Sequence, residues 1–147
     1  MPSLDPNFKE LLRLLNSADV KYLVIGGYAV NFHGYHRNTA DIDIWIAIDP
    51  DNAQKASQAL QSFGFPASSV PPEDFQQKGR ILRFGRPPWR VDILTNPSGI
   101  QFDECYPRRA IGNLDDISVP FISLADLKIN KKAVARTKDI ADVENLP

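Results

Sequence analysis

Apolar side chains recur along this chain with two periods, and the switches between those periods mark its elements. Phe8, Leu11, Leu12 and Leu15 fall at helical spacing, with Lys9, Glu10 and Arg13 between them. This predicts an amphipathic helix starting near Asp5-Pro6, with proline at an early helical position. Lys21 to Ile25 reads as a first strand, Gly26-Gly27 as a turn, and Tyr28 to Phe32 as a short helix. Asp41 to Ile48 reads as a second strand. Its tail, Ile44-Trp45-Ile46-Ala47-Ile48, is apolar on both faces, which predicts a central place in a sheet. Asp49-Pro50-Asp51 caps a helix from about Asn52 to Phe63, and Gly64-Phe65-Pro66 ends it.

The second half is more broken. Ala67 to Gly79 is polar and carries Pro71-Pro72, so it reads as a loop or a poor helix. Ile81 to Phe84 and Val91 to Leu94 are short strands joined by Gly85-Arg86-Pro87-Pro88-Trp89, a hairpin with a long loop. Asn96-Pro97-Ser98-Gly99 is a turn. Arg109 to Asn113 and Ile117 to Phe121 flank Asp115-Asp116 and predict another strand pair. Ser123-Leu124-Ala125-Asp126 resembles a capping box with aspartate in the usual glutamate place. A helix follows to about Ala135, and a last one runs from Thr137 to about Leu146. No repeat or linker interrupts the pattern, and the length predicts one domain over residues 1–147.

Charge nearly cancels, at −1, which disfavours an extended DNA- or RNA-binding groove. Local basic patches remain open, and Arg80, Arg83, Arg86 and Arg90 make one around the hairpin. Its two readings are a grip on an acidic acceptor and a solvated rim. The single cysteine, Cys105, has no partner for an internal disulfide, which fits a cytoplasmic protein. The N-terminus lacks a signal-peptide pattern, and no apolar run approaches the roughly 20 residues that span a bilayer.

The candidate chemistry starts at Asp41 and Asp43. Side chains alternate along a strand, so both carboxylates point to one side while Ile42 and Ile44 point to the other. Paired carboxylates repel unless a proton or cation sits between them, and Mg²⁺ or Mn²⁺ prefers oxygen ligands. Gly26 and Gly27, ahead of a helix, expose backbone N–H groups suited to phosphate, although a tight strand-to-helix turn would also want glycine. Arg37 leads into Asp41; a phosphate contact and an ion pair with an acid such as Asp139 are both open. Thr39 is placed to brace the loop. His33 and His36 read as structural or rim residues, and Tyr35 and Trp89 as buried aromatics or base-stacking platforms.

This order of parts resembles the nucleotidyltransferase superfamily that shares the fold of DNA polymerase beta. Val24-Ile25-Gly26-Gly27 followed by Asp41-x-Asp43 matches its motif, and Asp92 in Arg90-Val91-Asp92-Ile93-Leu94 matches the later-strand carboxylate. The run from Asp126-Leu127 through Lys131, Arg136, Lys138-Asp139 and Asp142 resembles the tail of small prokaryotic members related to AbiEii-type toxins.

The resemblance implies an α/β, or α+β, fold: a small mixed sheet with helices mainly on one face and the cleft on the other. It implies Asp41, Asp43 and Asp92 as catalytic metal ligands for Mg²⁺ or Mn²⁺. Gly26, Gly27, Arg37 and Lys131 would contact a nucleoside triphosphate such as ATP, Lys131 having an ion-pair network as its alternative. The reaction would move a nucleoside monophosphate to a hydroxyl on a protein, a tRNA end or a small molecule, in a toxin–antitoxin setting. A partner chain or a second copy would complete the acceptor surface. The alternative is a non-catalytic module that keeps the fold and binds a nucleotide or a partner.

Overall fold

The computed structural model describes residues 6–86 and 89–147, without the side chains of Arg86 and Trp89. The expected roles of Asp5, of the Pro87-Pro88 loop and of the Arg86 and Trp89 side chains therefore lie outside the described residues.

A six-stranded sheet forms from β1 (Tyr22–Ile25), β2 (Asp41–Ile46), β3 (Ile81–Arg86), β4 (Trp89–Leu94), β5 (Ala110–Leu114) and β6 (Ile117–Phe121), in the order β3-β4-β2-β1-β6-β5. The sheet is mixed. β2 pairs antiparallel with β1 and parallel with β4, while β1 pairs parallel with β6. The two hairpins, β3-β4 and β5-β6, form the edges. The apolar run of β2 thus sits centrally, where a strand covered on both sides belongs.

Alternation gives β2 two unlike faces. Ile42, Ile44 and Ile46 are fully buried on one. The helices α1 (Pro6–Ser17) and α3 (Pro50–Phe63) pack against each other. α1 buries Phe8, Leu11, Leu12 and Leu15, the stripe its periodicity predicts. α3 starts where the Asp49 carboxylate accepts from the Asn52 N–H at 2.9 Å. Beyond its end, Phe65 lies against Phe84 at 4.6 Å.

Asp41, Asp43 and Trp45 share the other face. The buried Trp45 indole donates to the Thr95 carbonyl at 3.4 Å and meets Phe102 edge-on at 5.2 Å. Phe102 opens a one-turn helix, α4 (Phe102–Cys105), too short to be visible as a period in the sequence. It covers Trp45, and the carboxylates beyond lie in a cleft. Two more helices, α5 (Leu124–Val134) and α6 (Thr137–Asn145), pack on each other, and α5 also touches α2 (Gly26–Phe32).

One local expectation gains detail and one is corrected. The stretch from Ala67 to Gly79 holds two short 3₁₀ turns, Ala67–Ser69 and Pro72–Gln76, anchored by buried Val70 and Phe75. Pro71-Pro72 forbids a continuous α-helix but permits such turns. Ser123 does cap α5, accepting from the Asp126 N–H at 3.2 Å, yet the reciprocal half of the box is missing. The Asp126 carboxylate accepts instead from the Ser123 hydroxyl and, bidentately, from Arg108 at 3.0 and 3.1 Å. Charge-assisted bonds outcompete a return to the backbone.

Phe32 and Phe121 stack at 4.1 Å, nearly parallel, and a Cβ at Gly112 would lie 2.6 and 2.8 Å from their ring atoms. Gly112→Ala is therefore expected to destabilise the fold by about 1–3 kcal/mol, the usual cost of overpacking, read as a lowered Tm in calorimetry. An unchanged Tm would show that the stack yields freely.

Candidate active site

Strand register assembles the site. In the parallel β2-β4 pair Asp43 stands across from Asp92 and Asp41 across from Arg90. In the antiparallel β3-β4 pair Asp92 stands across from Arg83. All five side chains therefore share a face. Asp41, Asp43 and Asp92 line one cleft of about 560 Å³, and Gly26, Gly27, Arg37 and Lys131 line it with them. A larger hollow of about 680 Å³ at the Trp45 end contains none of the three aspartates. His33 is turned away, its Nε2–H donating to the Ile122 carbonyl at 2.7 Å. His36 is exposed, and Tyr35 packs on the core.

The three carboxylates are satisfied differently. Asp41 accepts from Arg90 Nη2 at 2.8 Å. Buried Asp92 has Arg83 Nε at 3.5 Å and Arg90 Nε at 3.8 Å from Oδ1, an atom with no hydrogen bond from the described residues. For Asp43, burial and then the neighbouring charges of Asp92 and Asp41 push its pKa up to about 6 against the opposing pull of Lys131 and Lys138. Among the described residues no three His, Cys, Asp or Glu side chains form a group that could hold an ion as they stand. The donor chemistry nonetheless fits a hard divalent cation. It offers three carboxylates on one sheet face, one with a buried oxygen that has no hydrogen-bond partner among the described residues and one whose pKa is raised by burial and its acidic neighbours.

The glycines have a packing reason. A Cβ at Gly26, which has φ +66°, would lie 2.0 Å from Asp43 Oδ2, so glycine lets this carboxylate approach the turn. A Cβ at Gly27 would lie 2.5 Å from Thr39 Oγ1. Thr39 in turn donates to the Asp41 carbonyl at 3.2 Å, bracing the loop that enters β2.

Asn31 does not line the cleft, but it positions residues that do, and sequence reasoning missed it. Buried in α2, it donates to the carbonyls of Gly27 and Arg37 and accepts from the Arg37 N–H, fastening the loop to the helix. Its only signal was a polar side chain among apolar neighbours. Arg37 then makes a bidentate pair at 2.7 and 2.8 Å with Asp142, not with Asp139. Lys131 is 4 % exposed and bonds both Asp139 at 3.0 Å and Asp142 at 3.1 Å. Burial raises both carboxyl pKa values, but hydrogen bonds from Arg136 and Lys131 to Asp139, and from Arg37 and Lys131 to Asp142, outweigh it and hold them below the ordinary range. Lys138, exposed and lining the cleft, was legible only as part of the Arg136-x-Lys138 run.

With this geometry in view, the chain belongs to the family described as "Nucleotidyltransferase of unknown function (DUF6036)", whose model matches residues 3–146. Solved structures share the fold. The lincosamide antibiotic adenylyltransferase LnuA, lincomycin-bound, is similar over 99 % of this chain and 97 % of its own, with TM-score 0.62 and 19 % identity. A putative nucleotidyltransferase from Thermotoga maritima matches over 93 % and 86 %, with TM-score 0.56 and 14 % identity. An antigenic nucleotidyltransferase-like protein from Paracoccidioides brasiliensis matches over 92 % and 71 %, with TM-score 0.56 and 21 % identity. No curated protein matches by sequence.

Two outcomes are expected. A raised carboxyl pKa means that the folded state holds its proton more tightly than the unfolded one. The Asp43 contribution to stability is therefore full below about pH 4 and lost as pH rises through about 6. Asp43→Asn should stabilise the metal-free protein at pH 8 by roughly 1–3 kcal/mol and make little difference at pH 4. Denaturant melts at the two pH values check this. Lys131→Met removes the buried cation shared by Asp139 and Asp142, leaving each with one arginine, and should cost up to about 3–5 kcal/mol in the same melts.

Proposed function

We propose that this chain is a Mg²⁺- or Mn²⁺-dependent nucleotidyltransferase that moves a nucleoside monophosphate from a triphosphate, ATP included, to a hydroxyl and releases pyrophosphate. The observation that carries the reading is the register of β2 and β4, which sets Asp41, Asp43 and Asp92 on one face of a cleft with Gly26-Gly27 at its lip. Asp41, Asp43 and Asp92 would hold the metal, which when bound supplies Lewis-acid neutralisation of phosphate charge.

The chain's own residues then have separate tasks. The acceptor oxygen attacks the α-phosphorus, its O–H proton passes to Asp92, and the bond from the α-phosphorus to the bridging oxygen breaks with pyrophosphate leaving. Asp92 suits the proton because its Oδ1 accepts no hydrogen bond from the described residues. The Gly26 and Gly27 N–H groups and the cleft-lining Arg136 offset the triphosphate's charge. Arg37 and Lys131 act from behind, because Asp142 and Asp139 already take up their charge. The acceptor is a protein side chain, a tRNA end or a small molecule. The lincomycin-bound LnuA is a fold neighbour with a small-molecule ligand. A toxin–antitoxin role, with a partner chain or second copy completing the acceptor surface, is the biological setting we favour.

The test is label transfer from α-³²P triphosphates to tRNA, to cell extract and to the protein itself, with binding measured in parallel. Asp92→Asn should bind metal–triphosphate within several-fold of wild type while transfer falls by about 10²–10⁴. Triphosphate binding with no transfer to any acceptor would leave a binding module in place of an enzyme.

A further inference from the structure

Two of the three proposed metal ligands, Asp41 and Asp92, have an arginine fixed beside them by the backbone. Arg90 is the strand partner of Asp41 and lies two residues before Asp92; Arg83 is the strand partner of Asp92. Register alone therefore delivers two guanidinium groups to two carboxylates. The contact to Asp41 is a short hydrogen bond at 2.8 Å, whereas those to Asp92 are ion-pair distances of 3.5 and 3.8 Å. The fit is incomplete: Arg90 Nε and Asp92 Oδ1 are both buried without a hydrogen-bond partner among the described residues. Buried polar atoms are seldom left so unless another partner is expected.

We infer that Arg83 and Arg90 are exchangeable counter-ions, which pair Asp92 and Asp41 until metal and triphosphate arrive together and then transfer their charge to the phosphates. This rests on the metal-dependent reading above. The physical argument is competition. A divalent ion and a guanidinium drawn to one carboxylate repel each other, so metal alone binds against three ion pairs, Arg90 with Asp41 and with Asp92 and Arg83 with Asp92. A displaced arginine left inside the cleft then lacks an anion, unless a phosphate is present to accept its forked donors. Metal without nucleotide therefore binds weakly, and each strengthens the other by the same factor. Arg90 is 31 % exposed and Arg83 61 %, so neither pair is locked in.

The experiment is Mn²⁺ titration of the full chain, followed by the loss of the free-ion electron paramagnetic resonance signal, with and without α,β-methylene-ATP. Wild type is compared with Arg90→Gln, Arg83→Gln and Lys138→Gln. Arg90→Gln should bind Mn²⁺ alone about fivefold more tightly, the equivalent of one partly exposed ion pair, and lose about that factor from the metal–nucleotide coupling. Arg83→Gln should shift the same way, and provides the test if Arg90→Gln fails to fold. Lys138 acts on Asp43 only through space and so reports the long-range field. Lys138→Gln should change Mn²⁺ affinity by less than about twofold. Unchanged or weaker Mn²⁺ binding in the arginine variants would overturn the inference while leaving the enzyme reading intact. An equal gain in Lys138→Gln would overturn it as well, because the effect would then be field and not contact. No Mn²⁺ binding by any form, even with the nucleotide analogue, would sink both.

Discussion

Asp43 faces Asp92 across a parallel strand pair, with Asp41 two residues away on the same face, and most of the molecule's polar architecture answers that crowding of negative charge. Each carboxylate is relieved by a different means. Asp41 takes a guanidinium hydrogen bond, Asp92 takes two longer ion pairs, and Asp43, pressed against the Gly26 turn, has its pKa driven upward. A sheet built for stability alone would place valine or isoleucine at these positions, as the opposite face of β2 does with Ile42 and Ile44. Local conflicts of this kind, retained against the rest of a consistent fold, mark functional sites.

The second half of the chain supplies the counterweight. Lys131 lies almost wholly inside the protein between Asp139 and Asp142, and Arg37 and Arg136 close the group from the two sides. Three cations meet two carboxylates, so one positive charge remains, and part of its field falls on Asp43. The same group is mechanical. Through Asp142 it ties α6 to Arg37, and Asn31 ties Arg37 in turn to α2, which opens with Gly26-Gly27. The loop entering the β2 carboxylates is thus fastened to α2 on one side and to α6 on the other.

How much of this was legible in the sequence varied with the range of the interaction. Alternation along β2, the Gly-Gly turn, the Asp49 cap, the amphipathic stripe of α1 and the Ser123 cap are properties of a few neighbouring residues, and the chain's own pattern determined them. The strand character of Val91-Asp92-Ile93 was readable in the same way. Tertiary structure decided which strand stands beside which and which acid meets which base. Arg90 reaches Asp41 across 49 residues of chain and Arg37 reaches Asp142 across 105, and either cation had several acids within plausible reach. Spacing cannot choose among them, because the choice depends on strand order and on how two helices dock. The same limit applies to Lys131: its place in the family-like tail was plain from the sequence, but whether its charge faces a ligand or a buried carboxylate is settled only when α5 and α6 pack together.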